Sequence, residues 1–364
     1  MSSTIKGVAV YKTRLPLQRP YHLSLITLDC FESVMVRIET EGGVGYGETT
    51  DVPGYFTENL GDAWKIACLY GPQLPGKNTV EALDRIVARE KKLSFAATPL
   101  VTALEGIIDS IENPVTDSVT VPILGVVQGE TLEDIESDAR RLLMEGYHTL
   151  KFKVGFSVNE DLERVCHLQT LLAPGVRIRL DANQAYSYAQ AVQFVEGLDP
   201  RGIELLEQPL GTEAWDDMSR LVKISPVPLM LDEAITGEDE LDRTIETGCA
   251  EVVKFKLMKC GSFRYLEKLV NKAVNAGLKV ILGNGVATDI GCFHEAQVAH
   301  RMGLTVHAGE MNGFLKGVDH FLEPPLRMEG ENLILPDGIP AVRWDILSRY
   351  IVEEISWGDI KSPS

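Results

Sequence analysis

Asp181, Glu207 and Asp232 each close a short run rich in apolar residues: Arg-Ile-Arg-Leu-Asp, Ile-Glu-Leu-Leu-Glu and Pro-Leu-Met-Leu-Asp. The three ends recur at about 25-residue intervals, one strand-plus-helix unit apart. Neighbouring strands lie about 4.8 Å apart, so three carboxylates at one level on consecutive strands converge on a small volume. Bare charges there repel and force at least one pKa upward, and a hard divalent cation removes the conflict. The expected donors are all oxygens, with no cysteine or histidine beside them, which favours Mg²⁺ over zinc. Mg²⁺ also keeps positions open for a substrate carboxylate. A single strand-end acid commonly caps the next helix, but three in step favour the metal.

Lysines flank this set. Leu150-Lys151-Phe152-Lys153-Val154 precedes the first acid, and Val253-Lys254-Phe255-Lys256-Leu257 follows the last. Strand alternation puts Lys151 with Lys153 on one face and Lys254 with Lys256 on one face. A lysine pointing inward among apolar neighbours is costly unless it is paired or its pKa falls. The order of the strands lets Lys153 and Lys256 face each other across the metal, with depressed pKa values that suit a general base. Lys259 reads as an ordinary surface lysine on a helix.

The elements that must position these groups follow a regular beat. Short apolar strands are expected at 122–127, 149–154, 177–181, 203–207, 229–232, 252–256, 279–283 and 305–307. Helices start between them near Leu132, Asn159, Tyr188, Glu213, Glu238, Ser262 and Ile290. Eight strands, each followed by a helix, fit an α/β fold of the (β/α)₈ (modified TIM) barrel type, whose chemistry sits at the strand C-termini. No G-x-G-x-x-G follows the first of these strands, which argues against a dinucleotide-binding sheet.

Before the barrel, strands at 8–15, 33–39 and 44–48, with a turn at Glu41-Gly42-Gly43, precede helical patterns at 58–70, 79–93 and 99–111. This is an α+β pattern. We therefore expect an α+β capping domain over 1–118, the barrel over 119–323, and a C-terminal segment over 324–364 that returns to complete the capping domain. The chain has 364 residues, 45% of them hydrophobic and 24% charged, enough for one large and one smaller domain. Its net charge of −18 argues against nucleic-acid or anionic-membrane partners. Six cysteines without C-x-x-C spacing read as reduced thiols. The first dozen residues lack a signal-peptide pattern, and a soluble cytoplasmic protein is expected.

Five motifs in order then carry a resemblance: Lys-Phe-Lys at 151–153, Asp-Ala-Asn-Gln at 181–184, Glu-Gln-Pro at 207–209, Asp-Glu at 232–233 and Lys-Leu-Met-Lys at 256–259. Together, and over nearly the whole chain, they resemble the enolase superfamily in its muconate lactonizing branch, the mandelate racemase/muconate lactonizing enzyme group. Gly45-Tyr46-Gly47-Glu48 fits the hairpin ending of that family's capping domain. The resemblance implies that Asp181, Glu207 and Asp232 ligate Mg²⁺, with Mn²⁺ a substitute, and that Lys153 and Lys256 are acid/base groups on opposite substrate faces. It implies that Lys151 holds a carboxylate oxygen and lowers the pKa of Lys153, and that Asn183 and Glu233 support the metal shell. The implied chemistry is abstraction of a proton α to a substrate carboxylate through an enediolate.

Racemisation or epimerisation of an amino-acid-like or N-substituted amino acid is the first expectation. A muconate-type cycloisomerase or a hydroxy-acid dehydratase is the alternative. A non-catalytic acid-binding barrel, or a phosphate-binding one using Gly283-Asn284-Gly285, fits the lysines less well. The pattern departs from the family twice. No glutamate stands at the end of the seventh barrel strand, where Asp289 follows as a helix cap. The Asp-x-Asp of dipeptide epimerases is replaced by a stretch containing Glu310 and Asn312. His307 reads as a satisfied core residue. Two loops, 19–28 and 49–58, are expected to close over the substrate. Tyr21, His22, Ser24, Tyr55 and Phe56 in them, with Asn284, Glu310 and Asn312, are the candidate substrate contacts. The expected partner is a small carboxylate, in a homo-oligomer by family analogy.

Overall fold

The structure, a computed structural model, describes residues 3–23, 26–90, 94–112 and 119–360. Ser24 and part of the expected boundary after residue 112 lie outside the described residues.

The N-terminal region is an antiparallel sheet with helices on one face. Strands β1 (Ile5–His22), β2 (Thr27–Thr40) and β3 (Val44–Thr50) form a meander, and helices α1 (Leu60–Tyr70), α2 (Thr79–Arg89) and α3 (Thr98–Glu112) follow. Every second residue of β1 and β2 faces the helices: Val8, Val10, Val34, Val36 and Ile38 pack with Ala63, Leu83, Ile86, Leu100 and Leu104. This is the alternation expected of a sheet with one covered face. Asn59 and Asn78 cap α1 and α2 through their side-chain oxygens. The expected first substrate loop, 19–28, is largely the tip of the long β1–β2 hairpin, where Tyr21 pairs with Leu28 and His22 with Thr27.

A second sheet follows. Val119–Pro122 (β4) does not join it but pairs with a later strand. The single strand expected over 122–127 is therefore two pieces, broken after Pro122. Strands β5 (Gly125–Val127), β6 (Thr149–Lys153), β7 (Arg177–Asp181), β8 (Ile203–Glu207), β9 (Leu229–Leu231), β10 (Val252–Phe255) and β11 (Lys279–Leu282) form one parallel sheet in sequential order. Helices α4 (Leu132–Met144), α5 (Val158–Leu171), α6 (Tyr188–Gly197), α7 (Trp215–Leu221), α8 (Glu238–Thr247), α9 (Leu257–Cys260) and α10 (Phe263–Asn275) connect them, and α11 (Asp289–Arg301) follows the last strand.

No strand forms at 305–307. Instead the backbone at 309–310 reaches both sheet edges. Glu310 N donates to Leu282 O (3.0 Å), Gly309 N donates to Pro122 O (2.8 Å), and Leu124 N donates to Gly309 O (2.9 Å). The remaining elements are β12 (Leu322–Glu323), β13 (Arg327–Glu329), β14 (Asn332–Leu335), β15 (Ala341–Val342), α12 (Trp344–Leu347) and β16 (Ile351–Gly358). The last of these adds to the N-terminal sheet beside β1, with Gly7 opposite Gly358. Among the described residues no helix is long and apolar enough to cross a membrane.

Buried acids fasten the two regions together. Glu105 on α3 accepts from Ser262 Oγ (2.6 Å) and Phe263 N (2.5 Å) at the start of α10. Glu48 at the end of β3 accepts from Thr288 N (2.7 Å) and from the Thr288 hydroxyl at the start of α11. Each carboxylate thus serves the free N–H groups of a helix from the other region. Asp289 does not cap its own helix as expected. Its Oδ2 accepts from Phe321 N and Leu322 N, at 2.7 and 2.8 Å, and pins the chain that leaves the sheet.

Inside the sheet, Arg179 is fully buried and donates to Glu204 Oε2 (2.9 Å) and Ala308 O (2.9 Å). His307 bonds the other oxygen of Glu204 at 2.8 Å, so it is a satisfied residue. Burial alone raises the pKa of Glu204, but His307, Arg179 and Arg177 outweigh it and hold it at about 2. A depressed carboxylate contributes stability above its unfolded pKa and loses it as pH falls through the folded one. Glu204→Gln is expected to lower the unfolding free energy by about 3 kcal/mol, because a buried guanidinium loses its counter-ion. The difference from the unsubstituted protein should shrink between about pH 4.5 and 2. Chemical denaturation across that range checks it; equal stability of the two proteins at neutral pH contradicts the assignment.

Candidate active site

At the C-terminal ends of β6 to β10, acids and lysines alternate in space. Asp181 and Glu207 are register partners on β7 and β8. Asp232 is not at their level as the sequence suggests: Glu207 pairs with Met230, so Asp232 lies two residues further on, beyond the three-residue β9. Gln208 sets that position. It is fully buried, and its Oε1 accepts from Asp232 N (3.0 Å) and Ala234 N (3.1 Å) while its Nε2 donates to Leu210 O (2.9 Å). Among the described residues, the non-glycine positions in left-handed backbone are Asn183, Gln184 and Gln208, each within three residues of one of these acids. Such strain persists only where the surroundings impose it, and it clusters at functional sites.

The lysines fill the space between the acids. Lys151 Nζ lies 2.9 Å from Asp181 Oδ2, 3.1 Å from Glu207 Oε2 and 3.0 Å from Glu310 Oε2. Lys254 Nζ lies 3.0 Å from Glu207 Oε1 and 3.4 Å from Asp232 Oδ2, and it pairs with Glu310. Lys256 Nζ donates to Asp232 Oδ2 at 2.8 Å. Lys259 is not a surface residue. The one-turn α9 directs it back to Asp232 O (2.8 Å) and Ile235 O (3.3 Å). Asn183 Nδ2 donates to Glu233 Oε1 at 3.0 Å, and Asn183 N donates to Asp181 Oδ1 at 3.0 Å.

These pairs shift the pKa values in different directions. Burial opposes the charge of Lys151 and Lys254, but the surrounding carboxylates win and hold both pKa values above the ordinary range. Burial likewise opposes the charge of Lys256, yet Asp232 raises it, against the depressed value expected from the sequence. The reason is the 2.8 Å contact with Asp232. Lys153 behaves as expected: burial lowers its pKa and Lys151 adds to the effect, against the pull of Asp181. Burial and the neighbouring Asp181 push Glu207 up to about 7. Asp232 is held well below the usual range, since Lys254, Lys256 and Lys259 outweigh its burial.

Lys153 and Lys256 line one cavity of about 60 Å³ together with Asp181, Asn183, Asp232, Lys151, Lys254 and Glu310. The hairpin tip and the segment after β3 roof it with Tyr21, Leu23, Val52, Tyr55 and Phe56. Phe56 is braced by stacking on Phe95, with ring centroids 4.8 Å apart. His22, one residue from the buried Tyr21, points out of the hairpin and bonds Thr27 Oγ1 at 3.0 Å, so it does not reach the cavity.

Asn284 faces the cavity, but its amide is committed to its own turn through Val286 O (2.6 Å) and Val286 N (3.1 Å). Asn312 accepts from Lys316 Nζ at 2.8 Å and donates to Leu124 O at 3.3 Å. Glu310 is engaged by two lysines rather than left open for a substrate cation. Sequence reasoning gives no role to Lys254, Lys259, Gln208 or Lys316. Lys254 shares the inward face of Lys256, a signal in plain view.

The donor set is that of a hard cation: carboxylates only, with Glu207 Oε2 buried and accepting no hydrogen bond despite the ammonium at 3.1 Å. Among the described residues, however, no three His, Cys, Asp or Glu side chains are gathered into a ready cation cage. The ammonium groups of Lys151 and Lys254 stand between the acids instead.

A measurable consequence is selective reactivity. Trace labelling with a small amine-reactive acylating agent across pH should show Lys153 reacting with a midpoint below that of the exposed lysines. Lys151 and Lys254 should stay protected. A Lys153 midpoint at or above about 10.4, the ordinary lysine value, contradicts this electrostatic picture.

Residues 134–339 match the model of a family described as enolase C-terminal domain-like. Muconate cycloisomerase 1 of Acinetobacter baylyi is 27% identical over 349 residues, covering 91% of this chain and 94% of that protein. The solved structure of N-succinyl Arg/Lys racemase from Bacillus cereus superposes with a TM-score of 0.88 at 24% identity, covering 97% of this chain and 99% of that one. The dipeptide epimerase of Cytophaga hutchinsonii, solved with Mg and the dipeptide D-Ala-L-Val, gives a TM-score of 0.86 at 21% identity, covering 97% and 99%.

Proposed function

We infer the chemistry from kinship and geometry together: the chain belongs to the enolase C-terminal domain-like family and, like its relatives, is an isomerase of the enolase superfamily. The reaction proposed is Mg²⁺-dependent removal of the proton α to a substrate carboxylate. Racemisation or epimerisation of an amino-acid-like or N-substituted amino acid is the outcome. The single observation behind this choice is that Lys153 and Lys256 enter one cavity from either side of the acids, with pKa values displaced in opposite directions. Groups whose environments drive their pKa values apart divide naturally into base and acid.

In this reading Lys153 takes the α-proton with its free amine, and the Lys256 ammonium returns one to the opposite face. Lys151, charged and fixed among acids, holds a substrate carboxylate oxygen. Asp181, Glu207 and Asp232 are the residues that would hold Mg²⁺, or Mn²⁺ in its place, with Asn183 and Glu233 behind them. When bound, the cation supplies the positive charge that makes an α-proton acidic enough to remove. Tyr21, Tyr55 and Phe56 exclude water and shape the substrate end. We read residues 1–118 and 324–364 as the cap, and 119–323 as a (β/α)₈ barrel closed by the backbone at 309–310.

A muconate-type cycloisomerase is the second reading, favoured by the 91% of the chain that the cycloisomerase match covers. Loss of water from a hydroxy acid would use the same residues.

The test is α-proton exchange followed by NMR in D₂O with Mg²⁺, over a panel of amino acids, N-acyl amino acids, dipeptides and muconates. Exchange with inversion supports the two-base scheme, and ring closure or loss of water without inversion replaces it. Lys256→Ala should stop exchange at one face only; equal loss at both faces gives the lysines a shared electrostatic role instead. Asp232→Asn should weaken Mg²⁺ binding and turnover together, by about a hundredfold or more. Unaltered Mg²⁺ dependence would remove Asp232 from the cation set.

A further inference from the structure

Lys254 has no part in the chemistry above, yet it is 1% exposed and stands at the centre of the acids. Its Nζ contacts two of the three proposed cation ligands, Glu207 Oε1 at 3.0 Å and Asp232 Oδ2 at 3.4 Å, and also pairs with Glu310. We propose that Lys254 is a built-in counter-cation that competes with Mg²⁺ for Glu207 and Asp232, and that Glu310 is the berth that retains its ammonium when Mg²⁺ enters. This rests on the reading of Asp181, Glu207 and Asp232 as the cation ligands.

Three physical points carry it. First, Mg²⁺ demands oxygens at about 2.0–2.1 Å in near-octahedral geometry. An ammonium hydrogen-bonded to the same oxygens spends their lone pairs and holds them apart. This accounts for acids of the right type that are not gathered into a cage.

Second, charge. Asp181, Glu207, Asp232, Glu233 and Glu310 face Lys151, Lys254, Lys256 and Lys259 and the free amine that Lys153 presents in the scheme above, so with the other groups charged the cluster carries one net negative charge before any metal binds. A dication then leaves an excess of one positive charge with Lys254 present, and none without it. Lys254 therefore weakens cation binding and strengthens the pull on an anionic substrate. By linkage, an anionic ligand tightens Mg²⁺ in turn.

Third, the route. Lys254 has a flexible four-carbon stem and already touches Glu310, which comes from the 309–310 segment rather than from the strands bearing the proposed ligands. A small swing therefore frees Glu207 and Asp232 without stranding a buried charge. Lys151 remains on Glu310 at 3.0 Å, so the berth is shared and stays neutralised.

The experiment is calorimetric titration of MgCl₂ into the full-length protein stripped of metal, with melting temperatures in EDTA and in Mg²⁺ as a second readout. Lys254→Met should tighten Mg²⁺ binding by about ten- to a hundredfold, the effect of removing one charge a few ångströms from the ion. It should melt lower than the unsubstituted protein in EDTA and recover in Mg²⁺. Lys254→Arg, which keeps the charge, should not tighten binding. Glu310→Gln removes the berth and should weaken Mg²⁺ binding severalfold, opposite in sign to Lys254→Met; a merely structural role would move both variants the same way. If Lys254→Met does not fold, Lys254→Gln and the Glu310→Gln arm decide alone. Mg²⁺ binding abolished by Asp232→Asn but unchanged or weakened by Lys254→Met overturns this inference and leaves the cation site standing. No Mg²⁺ binding by the unsubstituted protein or by Lys254→Met overturns both.

Discussion

A carboxylate or an ammonium cannot be buried alone, and this chain buries a cluster of both at the mouth of one sheet. Lys151 is 5% exposed, Asp181 2%, and Glu207 not at all. Each is tolerable only because Lys151 from β6 and Lys254 from β10 reach in among the acids. Strand order thereby becomes charge order: β6 brings lysines, β7, β8 and the end of β9 bring acids, and β10 brings lysines again. Glu310 closes the circuit across the gap between the sheet's two edges, touching Lys151 on β6 and Lys254 on β10. On the sheet interior beneath, Arg179 and Glu204 repeat the device and hold Ala308 in place. The placement of the N-terminal region follows from the same constraint. The charges hold their strength only in a medium drier than water, and Glu48 and Glu105 fasten that region so that Tyr21, Tyr55 and Phe56 lie over the cavity.

The parts that were legible in the sequence are those that strand periodicity determines. An acid at the end of an apolar run has one place to be, so Asp181 and Glu207 could be put on adjacent strands, where they are register partners. Lys151 and Lys153 share a face for the same reason, and both line the cavity. The parallel sheet in sequential order follows from the strand–helix beat, and the antiparallel N-terminal sheet from β-branched runs and the turn before Val44.

What was not legible depends on partners far away in the chain. Lys256 carries an upward pKa because Asp232 reaches it, and that contact exists because Gln208 fixes the backbone of Asp232 beyond a short strand. Lys259 looks exposed until a four-residue helix turns it inward. The role of Lys254 needs Glu310, 56 residues later, on a stretch whose secondary structure the sequence misplaces. There the β-branched residues of 305–307 suggest a strand, while glycine and backbone pairing put the bridge at 309. His22 and Tyr21 look equivalent as loop residues; on a hairpin, alternation sends one outward and the other in.

This division explains why a reaction class can be read from such a chain more readily than a substrate. The charged residues constrain one another, since each is a buried partner of one or more of the others. Their types and spacing therefore stay informative even in a single sequence. The walls are bound by no such rule. Tyr21 lines both the small charged cavity and a neighbouring one of about 720 Å³, lined by residues from the hairpin, the parallel-sheet region and the C-terminal segment. Residues at such a boundary need only be large and water-excluding, so many side chains satisfy the fold and each would admit a different acid. The walls of the cavity are thus set by shape and dryness, and the charged residues beneath them by one another.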